Sequence, residues 1–413
     1  MAIPIHSSTL SPTPAAPRAR LRDIAPSLYL GQWPPGPKNG ITDVAGVLVH
    51  TQSMHSEDGS VNTGVTTIVP RTEWFNKACY AGAFRFNGSG ELTGTHWLDE
   101  TGLLHSPIIL TNSFSVGAAI TGVYQHSIKH FADKDGSANW FLMPVVGETF
   151  DGYLNDLTAM AVKPEDIVRG LCSVSSDPVK EGNTGGGTGM ICHGFKAGTG
   201  TSSRQVPGVD TNGDETKYTV AALVQANFGR SAHLRIAGVP VGKIFLDEDT
   251  KRAKDAGKDA PRNEADMSKE ERDGSIITVI ATDAPLNPVQ LQRLAKRATV
   301  GVSRTGGYGY NSSGDIFMAF STANAIDVQE MSAFSLEPNR FKARPVKVDM
   351  IYDQTMDDLI EAAADATEEA IYNSMCMAET MVGRKGHTIT AIPLERLKDI
   401  LNKYSYQSKR EGN

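Results

Sequence analysis

The sequence predicts one α/β or α+β domain built from layers of sheet and helix. Short β-branched runs, separated by glycine and asparagine, alternate along the 413 residues with stretches whose apolar residues recur at helical spacing. No Pro/Gly-rich linker divides the chain into halves, and no internal repeat is present. Strands and helices that interleave without a break favour a single layered domain.

The expected elements follow in order along the chain. Strands are expected within 39–69, 78–92, 106–112, 139–156, 217–229, 275–286 and 315–322, with Asn87-Gly88 as a hairpin turn in the second stretch. Helices are expected from Val116 to Ile128, over 163–171 with Pro164 in the first turn, after the Asn287-Pro288 cap, over about 354–381, and near the C-terminus.

Composition narrows the function classes. A net charge of −7 argues against a nucleic-acid-binding face, and no apolar run approaches the roughly 20 residues of a membrane helix. The four cysteines suggest neither a disulfide framework nor a zinc site, and a reduced, cytoplasmic protein is expected. Residues 1–38 contain no apolar signal segment and are expected to form a mobile N-terminal arm.

Familiar cofactor and catalytic motifs are missing or incomplete. The glycine-rich stretch 182–200 is not followed by Gly-Lys-Ser/Thr, and GxSxG does not occur. His126 and His130 are four apart but have no obvious third ligand in the sequence, so they are expected on a helix surface rather than on a metal. Cys192 and His193 are adjacent, which points their side chains apart on a strand. No metal or organic cofactor is therefore expected.

The joint between Gly274 and Ser275 is the most unusual feature. Of the 27 residues from 247 to 273, 17 are charged, yet an apolar β-branched run begins directly after Ser275. Serine is a weak nucleophile, but an N-terminal serine can use its own α-amine as the base, with a pKa of about 7.7–8.0. Attack of the Ser275 hydroxyl on the Gly274 carbonyl would create such a terminus. The alternative is a charged surface loop that enters an ordinary strand.

Several long stretches resemble one family. "DGSIITVIATDAPL", "SSGD", "GETFDGYLND", "GNTGGGTGMICHGFKAGTGTSSR" and "LVQANFG" are similar in sequence and order to the DmpA-type family. That family comprises L-aminopeptidase/D-esterases and β-aminopeptidases among the P1 self-processing peptidases. The resemblance runs from about Asn39 to Tyr404. It implies a four-layer αββα sandwich, like N-terminal-nucleophile hydrolases and ornithine acetyltransferases, in a single domain over 39–413.

The resemblance also implies roles for individual residues. Cleavage between Gly274 and Ser275 would give an α chain 1–274, with 247–273 as a charged loop, and a β chain 275–413. Ser275 would be the nucleophile. The catalytic residues beside it would be Ser313, Asp315 holding the α-ammonium, Asn227 in the oxyanion hole, and Tyr153 as a donor or proton relay. Glu148 and Asp151 are candidates for binding the substrate amino group.

The expected substrate is a small peptide, amide or ester, cleaved through an acyl-enzyme on Ser275. The expected assembly is a homo-oligomer of αβ units, a tetramer or larger, with no nucleic-acid or membrane partner. An ornithine-acetyltransferase-like acyltransferase is one alternative, although its nucleophile is a threonine. A catalytically silent binding protein on the same scaffold is another. Ser275, the "SSGD" element and Asn227 favour the self-processing aminopeptidase.

Overall fold

The computed structural model describes residues 17–257, 274–329 and 342–406. The strands are β1 (Leu48–His55), β2 (Asn62–Val69), β3 (Lys77–Gly88), β4 (Leu103–Leu104), β5 (Ile108–Asn112), β6 (Val145–Thr149), β7 (Ile191–Cys192), β8 (Phe195–Lys196), β9 (Thr199–Val209), β10 (Glu215–Asn227), β11 (Ser275–Thr282), β12 (Gly314–Asp327), β13 (Met381–Val382) and β14 (Thr388–Ile389). The helices are α1 (Leu21–Ile24), α2 (Thr95–Thr101), α3 (Val116–Phe131), α4 (Pro164–Cys172), α5 (Val241–Asp255), α6 (Pro288–Lys296), α7 (Ala298–Arg304), α8 (Asp357–Cys376) and α9 (Leu394–Tyr404). No helix among the described residues is long and apolar enough to cross a membrane.

Two sheets form the middle of the molecule. One has four strands in the order β1-β2-β5-β6, and the other has six in the order β4-β3-β12-β11-β10-β9. Most neighbours are antiparallel, but β5 pairs with β6 and β11 with β12 in parallel. The two parallel pairs are each joined through helices, α3 in the first case and α6 and α7 in the second.

The alternation of side chains along β11 defines the layers. Ile276 and Ile280 point into an apolar cluster shared with α6 and α8, whereas Ile277 and Val279 point into a second cluster shared with β5 and β6 of the other sheet. A strand covered on both faces is buried at every position and is rich in apolar residues, which explains the run from Ile276 to Ile280 and the burial of all of Ser275–Thr282. The two sheets therefore pack face to face, with helices outside the larger one.

A helical layer also covers the smaller sheet. Ala119 and Val123 of α3 and Ile167 of α4 pack with Val65 and Ile109 of β2 and β5 in a third apolar cluster. The order of layers is helix, sheet, sheet, helix. The predicted αββα sandwich is confirmed.

The Asn87-Gly88 turn was predicted wrongly. These residues end β3 and pair across to β12, Asn87 opposite Asp315 and Gly88 opposite Gly314, with an irregular register beyond. The Asn87 side chain donates to the Tyr310 carbonyl. An Asn-Gly pair favours a hairpin only when the strand turns back at once, and here a long-range partner holds it extended instead.

The mobile arm was also predicted too long. Residues 1–16 lie outside the described part, but from residue 17 the chain is docked on the body. Leu21 is fully buried, Arg20 forms an ion pair with Glu181 at 2.5 Å, and Arg22 forms one with Glu369 at 2.8 Å. These buried contacts join residues that are far apart in the sequence, so no local sequence pattern indicates them.

The charged stretch 247–273 is not a loop throughout. Its first part continues α5, whose exposed Lys243 and Asp247 form an i,i+4 ion pair at 2.8 Å. Composition alone does not distinguish a helix with many charges on its exposed face from a disordered segment. Residues 258–273 lie outside the described part of the chain.

Candidate active site

Ser275 lies at a strand end between two other strand ends. It is the first residue of β11, where it pairs with Asn227, the last residue of β10, and with Gly314, the first residue of β12. Its side chain is buried, at 6% exposure, and its hydroxyl accepts a hydrogen bond from the Gly314 N–H at 3.1 Å. Pairing on both sides fixes the backbone of the predicted nucleophile, as a precise attack geometry requires.

Ser313 connects the predicted cleavage bond to Asp315. The Ser313 hydroxyl makes a short hydrogen bond to the Gly274 carbonyl, and its oxygen lies 2.7 Å from Oδ1 of Asp315. A hydroxyl has one proton and can donate to only one of these oxygens at a time. Both contacts are satisfied when Asp315 is protonated and donates to Ser313, which then donates to the carbonyl of Gly274.

The environment of Asp315 favours that protonated form. Its side chain is 2% exposed, and burial raises its pKa to about 6, although hydrogen bonds from Ser313 and the Ile276 N–H act in the opposite direction. With this pKa, about half of the molecules carry the Asp315 proton at pH 6 and about one tenth carry it at pH 7. Asp315 and Ser313 can polarise the Gly274 carbonyl without any metal ion.

Gly274 lies where no side chain fits. A Cβ atom added there would be 2.2 Å from the Asn227 carbonyl oxygen and 2.3 Å from Cα of Phe228. Both obstacles are backbone atoms of the β10 end, which cannot swing away as a flexible side chain could. The bond before Ser275 is therefore held close against the strand that carries Asn227.

Asn227 is fixed by two backbone partners. Its Oδ1 accepts from the Ile191 N–H at 2.9 Å and its Nδ2 donates to the Phe150 carbonyl at 2.9 Å. Because Ile191 can only donate and Phe150 can only accept, these contacts settle the orientation of the amide. The buried ammonium of Lys196 in turn donates to the carbonyl of Met190 at 2.8 Å, beside Ile191. One proton of the Asn227 amide remains for a further acceptor.

Glu148 is brought to the same region by the smaller sheet. It is 8% exposed at the end of β6, where it accepts from the Ser113 hydroxyl and from the Glu91 N–H at 3.0 Å. A Cβ atom on Gly90 would be 3.3 Å from the Glu148 carboxylate and 3.0 Å from Cα of Gly314. Burial raises the pKa of Glu148. This carboxylate is thus part of the wall beside the β12 end.

Asp151 and Tyr153 lie in the loop that follows β6. Asp151 is 1% exposed, holds the Asn155 amide at 3.0 Å, and has its pKa raised to about 6 by burial. The Tyr153 ring stacks on His387 with 4.3 Å between ring centres. Both residues lie within three positions of Phe150, the carbonyl anchor of Asn227. The contacts above bring Ser275, Ser313, Asp315, Asn227 and Gly274 together directly, and connect Tyr153 and Asp151 to them through this loop.

The two other residue pairs considered in the sequence, Cys192–His193 and His126–His130, are not part of this site. Burial raises the pKa of the Cys192 thiol and lowers that of His193 to about 4, and His193 bonds the Arg230 carbonyl, so the two do not form a nucleophile–base pair. His126 and His130 lie on α3, as expected, with His130 exposed, and Cys172, which the sequence did not connect with them, lies beside them. Among the described residues, this is the one His/Cys/Asp/Glu group with metal-ligand proximity.

Sequence reasoning missed the backbone members of the site. The N–H of Gly314, the carbonyl of Phe150 and the N–H of Ile191 hold Ser275 and Asn227. Backbone groups are the same in every residue, so no residue type marks them. The short strand that provides Ile191 lies within the glycine-rich stretch 182–200, in which the sequence showed no complete phosphate-binding motif.

Comparison with known proteins agrees with this geometry. The family model described as peptidase family S58 matches residues 39–389. The chain belongs to peptidase family S58. The beta-peptidyl aminopeptidase BapA of Sphingosinicella microcystinivorans is 43% identical over 377 residues, which cover 90% of this chain and 89% of that protein.

Solved structures of family S58 relatives have the same fold. The L-aminopeptidase D-Ala-esterase/amidase of Ochrobactrum anthropi, described as a prototype for the serine aminopeptidases and a variant of the Ntn hydrolase fold, matches with a TM-score of 0.77 and 40% identity over 93% of this chain and 98% of that one. A Burkholderia sp. beta-aminopeptidase matches with a TM-score of 0.78 and 38% identity over 94% and 100%. Membership in family S58 makes the chain a hydrolase of the aminopeptidase type, as predicted.

Proposed function

We propose that the chain cleaves its own Gly274–Ser275 bond and thereby becomes a serine aminopeptidase. The observation that carries this proposal is the Ser313 hydroxyl bonded to the Gly274 carbonyl, directly beside the Ser275 hydroxyl. The products are an α chain 1–274 and a β chain 275–413, which stay together in one domain over 39–413 because β10, β11 and β12 are neighbours in one sheet.

Self-cleavage begins with attack of the Ser275 oxygen on the Gly274 carbonyl carbon. Negative charge develops on the Gly274 oxygen, where the Ser313 proton stabilises it, backed by the Asp315 proton. The C–N bond breaks, and the hydroxyl proton ends on the Ser275 nitrogen, which becomes the α-amine. Water then hydrolyses the ester between Gly274 and Ser275, leaving a Gly274 carboxylate and a free Ser275 hydroxyl.

The mature site uses the same atoms for hydrolysis of a substrate. The Ser275 hydroxyl attacks the carbonyl of the substrate's N-terminal residue while its own α-amine takes the proton. Asp315, ionised once the α-ammonium lies nearby, holds and tunes that amine. The remaining amide proton of Asn227, and Tyr153 as a second donor or proton relay, stabilise the tetrahedral oxyanion. The leaving amine departs, and water releases the acyl group from Ser275.

The proposed substrates are small peptides, amides or esters with a free amino terminus. Glu148 and Asp151 are the carboxylates proposed to receive the substrate ammonium, because each is buried near the Ser275 end of the sheets and a buried carboxylate is stabilised by a cation. The similarity to beta-peptidyl aminopeptidases supports turnover of β-amino acid amides, and that to an L-aminopeptidase D-Ala-esterase/amidase supports L-amino acid amides and D-esters.

We also propose a homo-oligomer of αβ units, a tetramer or larger, located in the cytoplasm. Exposed apolar side chains on the extended stretch before α8, Val346, Met350 and Tyr352, support a covered face. All four cysteines are free thiols, which fits a reducing compartment. Light scattering and cell fractionation test these two points.

Denaturing gels of purified protein test the self-cleavage. Wild type should appear as two chains of about 29 and 15 kDa in proportion to their lengths, whereas Ser275→Ala should remain a single chain and be inactive. Ser303→Ala, which removes an exposed hydroxyl on α7, is the matched control and should process normally. Sequencing should find Ser275 as a new N-terminus.

A panel of p-nitroanilides and amides then tests the substrate class, with α- and β-amino acids of both hands. Activity in the processed protein and none in Ser275→Ala supports the proposal. A wild-type chain that stays at full length and still hydrolyses these substrates contradicts it.

A further inference from the structure

Three metal-binding side chains meet at the ends of two helices, away from the active site. His126 and His130 lie one turn apart on α3, and Cys172 is the last residue of α4. One ring nitrogen from each histidine and the cysteine sulfur all lie within 4.8 Å of one another. The fold creates this group, because Cys172 lies 42 positions after His130 in the sequence.

The packing of α3 on α4 explains why the three residues meet. A Cβ atom added to Gly122 would be 2.6 Å from the Pro164 carbonyl and from Cβ of Ile167, so the two helices are in close contact at the start of α4. From there the helices run on together to their C-termini. Helix C-termini carry a partial negative charge, which favours a cation at this place.

The chemistry of the set suits a borderline-soft divalent metal. Imidazole and thiolate are the ligands that Zn²⁺ prefers, with bonds of about 2.0–2.3 Å, so the two nitrogens and the sulfur in a tetrahedral site lie about 3.3–3.6 Å apart. The ligand atoms therefore have to approach one another by about an ångström, and the side chains of His130 and Cys172 are exposed and can turn to do so. Hard cations such as Mg²⁺ and Ca²⁺ prefer oxygen ligands and are not suited.

The three groups are also available as ligands. The Nδ1 atom of His126 is buried and makes no hydrogen bond to the described residues, so a metal bond through it would satisfy that atom. Cys172 is the exposed thiol of the four, the other three being buried.

We propose that His126, His130 and Cys172 form a binding site for Zn²⁺ or a similar transition metal that clamps the end of α3 to the end of α4. Water would complete the fourth position. The site is structural: His126 and His130 lie about 15 and 21 Å along the helix axis from Val116, the first residue of α3, which follows the turn that contains Ser113. It is independent of the self-cleavage and peptidase activity proposed above.

Titration of chelator-treated protein with Co²⁺ tests the site directly. Tetrahedral Co²⁺ bound to a thiolate gives visible d–d bands and a near-ultraviolet sulfur-to-metal band. Wild type should show both at one equivalent, and Zn²⁺ should displace the Co²⁺, raise the melting temperature and slow the reaction of the exposed thiol with a disulfide reagent. Peptidase activity should stay unchanged throughout.

Three variants make the result specific. Cys172→Ser should lose the sulfur-to-metal band and bind at least tenfold more weakly, and His130→Ala should also bind at least tenfold more weakly. His96→Ala, an exposed histidine on α2, should bind like wild type. All three lie at exposed positions, and circular dichroism will show that they fold. A wild-type titration without these bands, or equal affinity in Cys172→Ser, overturns the proposal.

Discussion

Replacing Asp315 by asparagine should separate self-cleavage from peptide hydrolysis. In the uncleaved chain the single proton of the Ser313 hydroxyl can go either to the Gly274 carbonyl or to the side chain at position 315. It goes to the carbonyl when the side chain at position 315 donates a hydrogen bond to Ser313 or does not accept one from it. A carboxylic acid and an amide can both supply that proton, but a carboxylate cannot. Asp315→Asn should therefore process, and it should do so independently of pH.

The raised pKa sets the pH dependence of the wild type. With a pKa of about 6, roughly one tenth of the Asp315 side chains are protonated at pH 7 and about one hundredth at pH 8. The rate of self-cleavage should therefore fall about tenfold per pH unit above pH 6. The disappearance of the full-length chain on gels, from pH 5 to pH 8, measures both proteins.

Hydrolysis should respond in the opposite way. In the processed enzyme the α-ammonium of Ser275 needs a negative partner, and a neutral amide does not provide one. Processed Asp315→Asn should lose about 10²-fold or more in kcat, the usual range for a disturbed acid–base group. Hydrolysis of a β-amino acid p-nitroanilide after complete processing measures this loss.

Stability provides a check on the same group in uncleaved protein, with Ser275→Ala as background. A carboxyl whose folded pKa is raised binds its proton more tightly when folded, so stability is largest below about pH 4 and falls as pH rises to about 6. Two units correspond to about 3 kcal/mol. The asparagine does not titrate, so the variant should not lose stability between pH 4 and pH 8 as Asp315 does. The gain in free energy of unfolding caused by Asp315→Asn should therefore be larger at pH 8 than at pH 4 by about that amount. Wild-type processing that accelerates with pH, or an unprocessed Asp315→Asn, would refute the reasoning.

Three further predictions follow from single contacts. Gly274→Ala should slow self-cleavage at least tenfold on gels, because its methyl group collides with the backbone of Asn227 and Phe228. Asn227→Ala should reduce kcat by about 10²–10³-fold in processed enzyme and, by leaving two buried backbone groups without partners, the free energy of urea unfolding by about 1–3 kcal/mol. Glu369→Gln should lower that free energy by about 3–5 kcal/mol, since the fully buried Arg204 loses its ion pair at 2.8 Å, while activity of the folded fraction should stay normal.

The sequence was sufficient for the layers and for most strands and helices. The continuous apolar run of β11 indicated a strand buried on both faces, and Asn287 does cap α6, accepting from the Gln290 N–H at 2.9 Å. Periodicity and capping are local, so they are visible in sequence. The family resemblance added the αββα order of the layers, which periodicity cannot supply.

What the sequence could not supply are contacts between distant segments. Arg18 bonds the carbonyls of Cys376 and Ile392, which anchors a stretch predicted to be mobile. Cys172 meets His126 only because α3 packs on α4. In each case the residue type alone indicates no particular role, because the role depends on a partner more than 40 positions away in the sequence.

The register between β10 and β11 couples the geometry of the proposed active site to the packing of the apolar core. Asn227 lies opposite Ser275, and from there the pairing runs on without interruption to Val220 opposite Thr282. A slip of one residue would turn every apolar side chain of β11 to the opposite face, exchanging those that contact the helices for those that contact the other sheet. The core therefore opposes such a slip, and it thereby keeps Asn227 beside the nucleophile. Substitutions that repack Ile277 or Val279 should consequently affect self-cleavage, although neither side chain takes part in it.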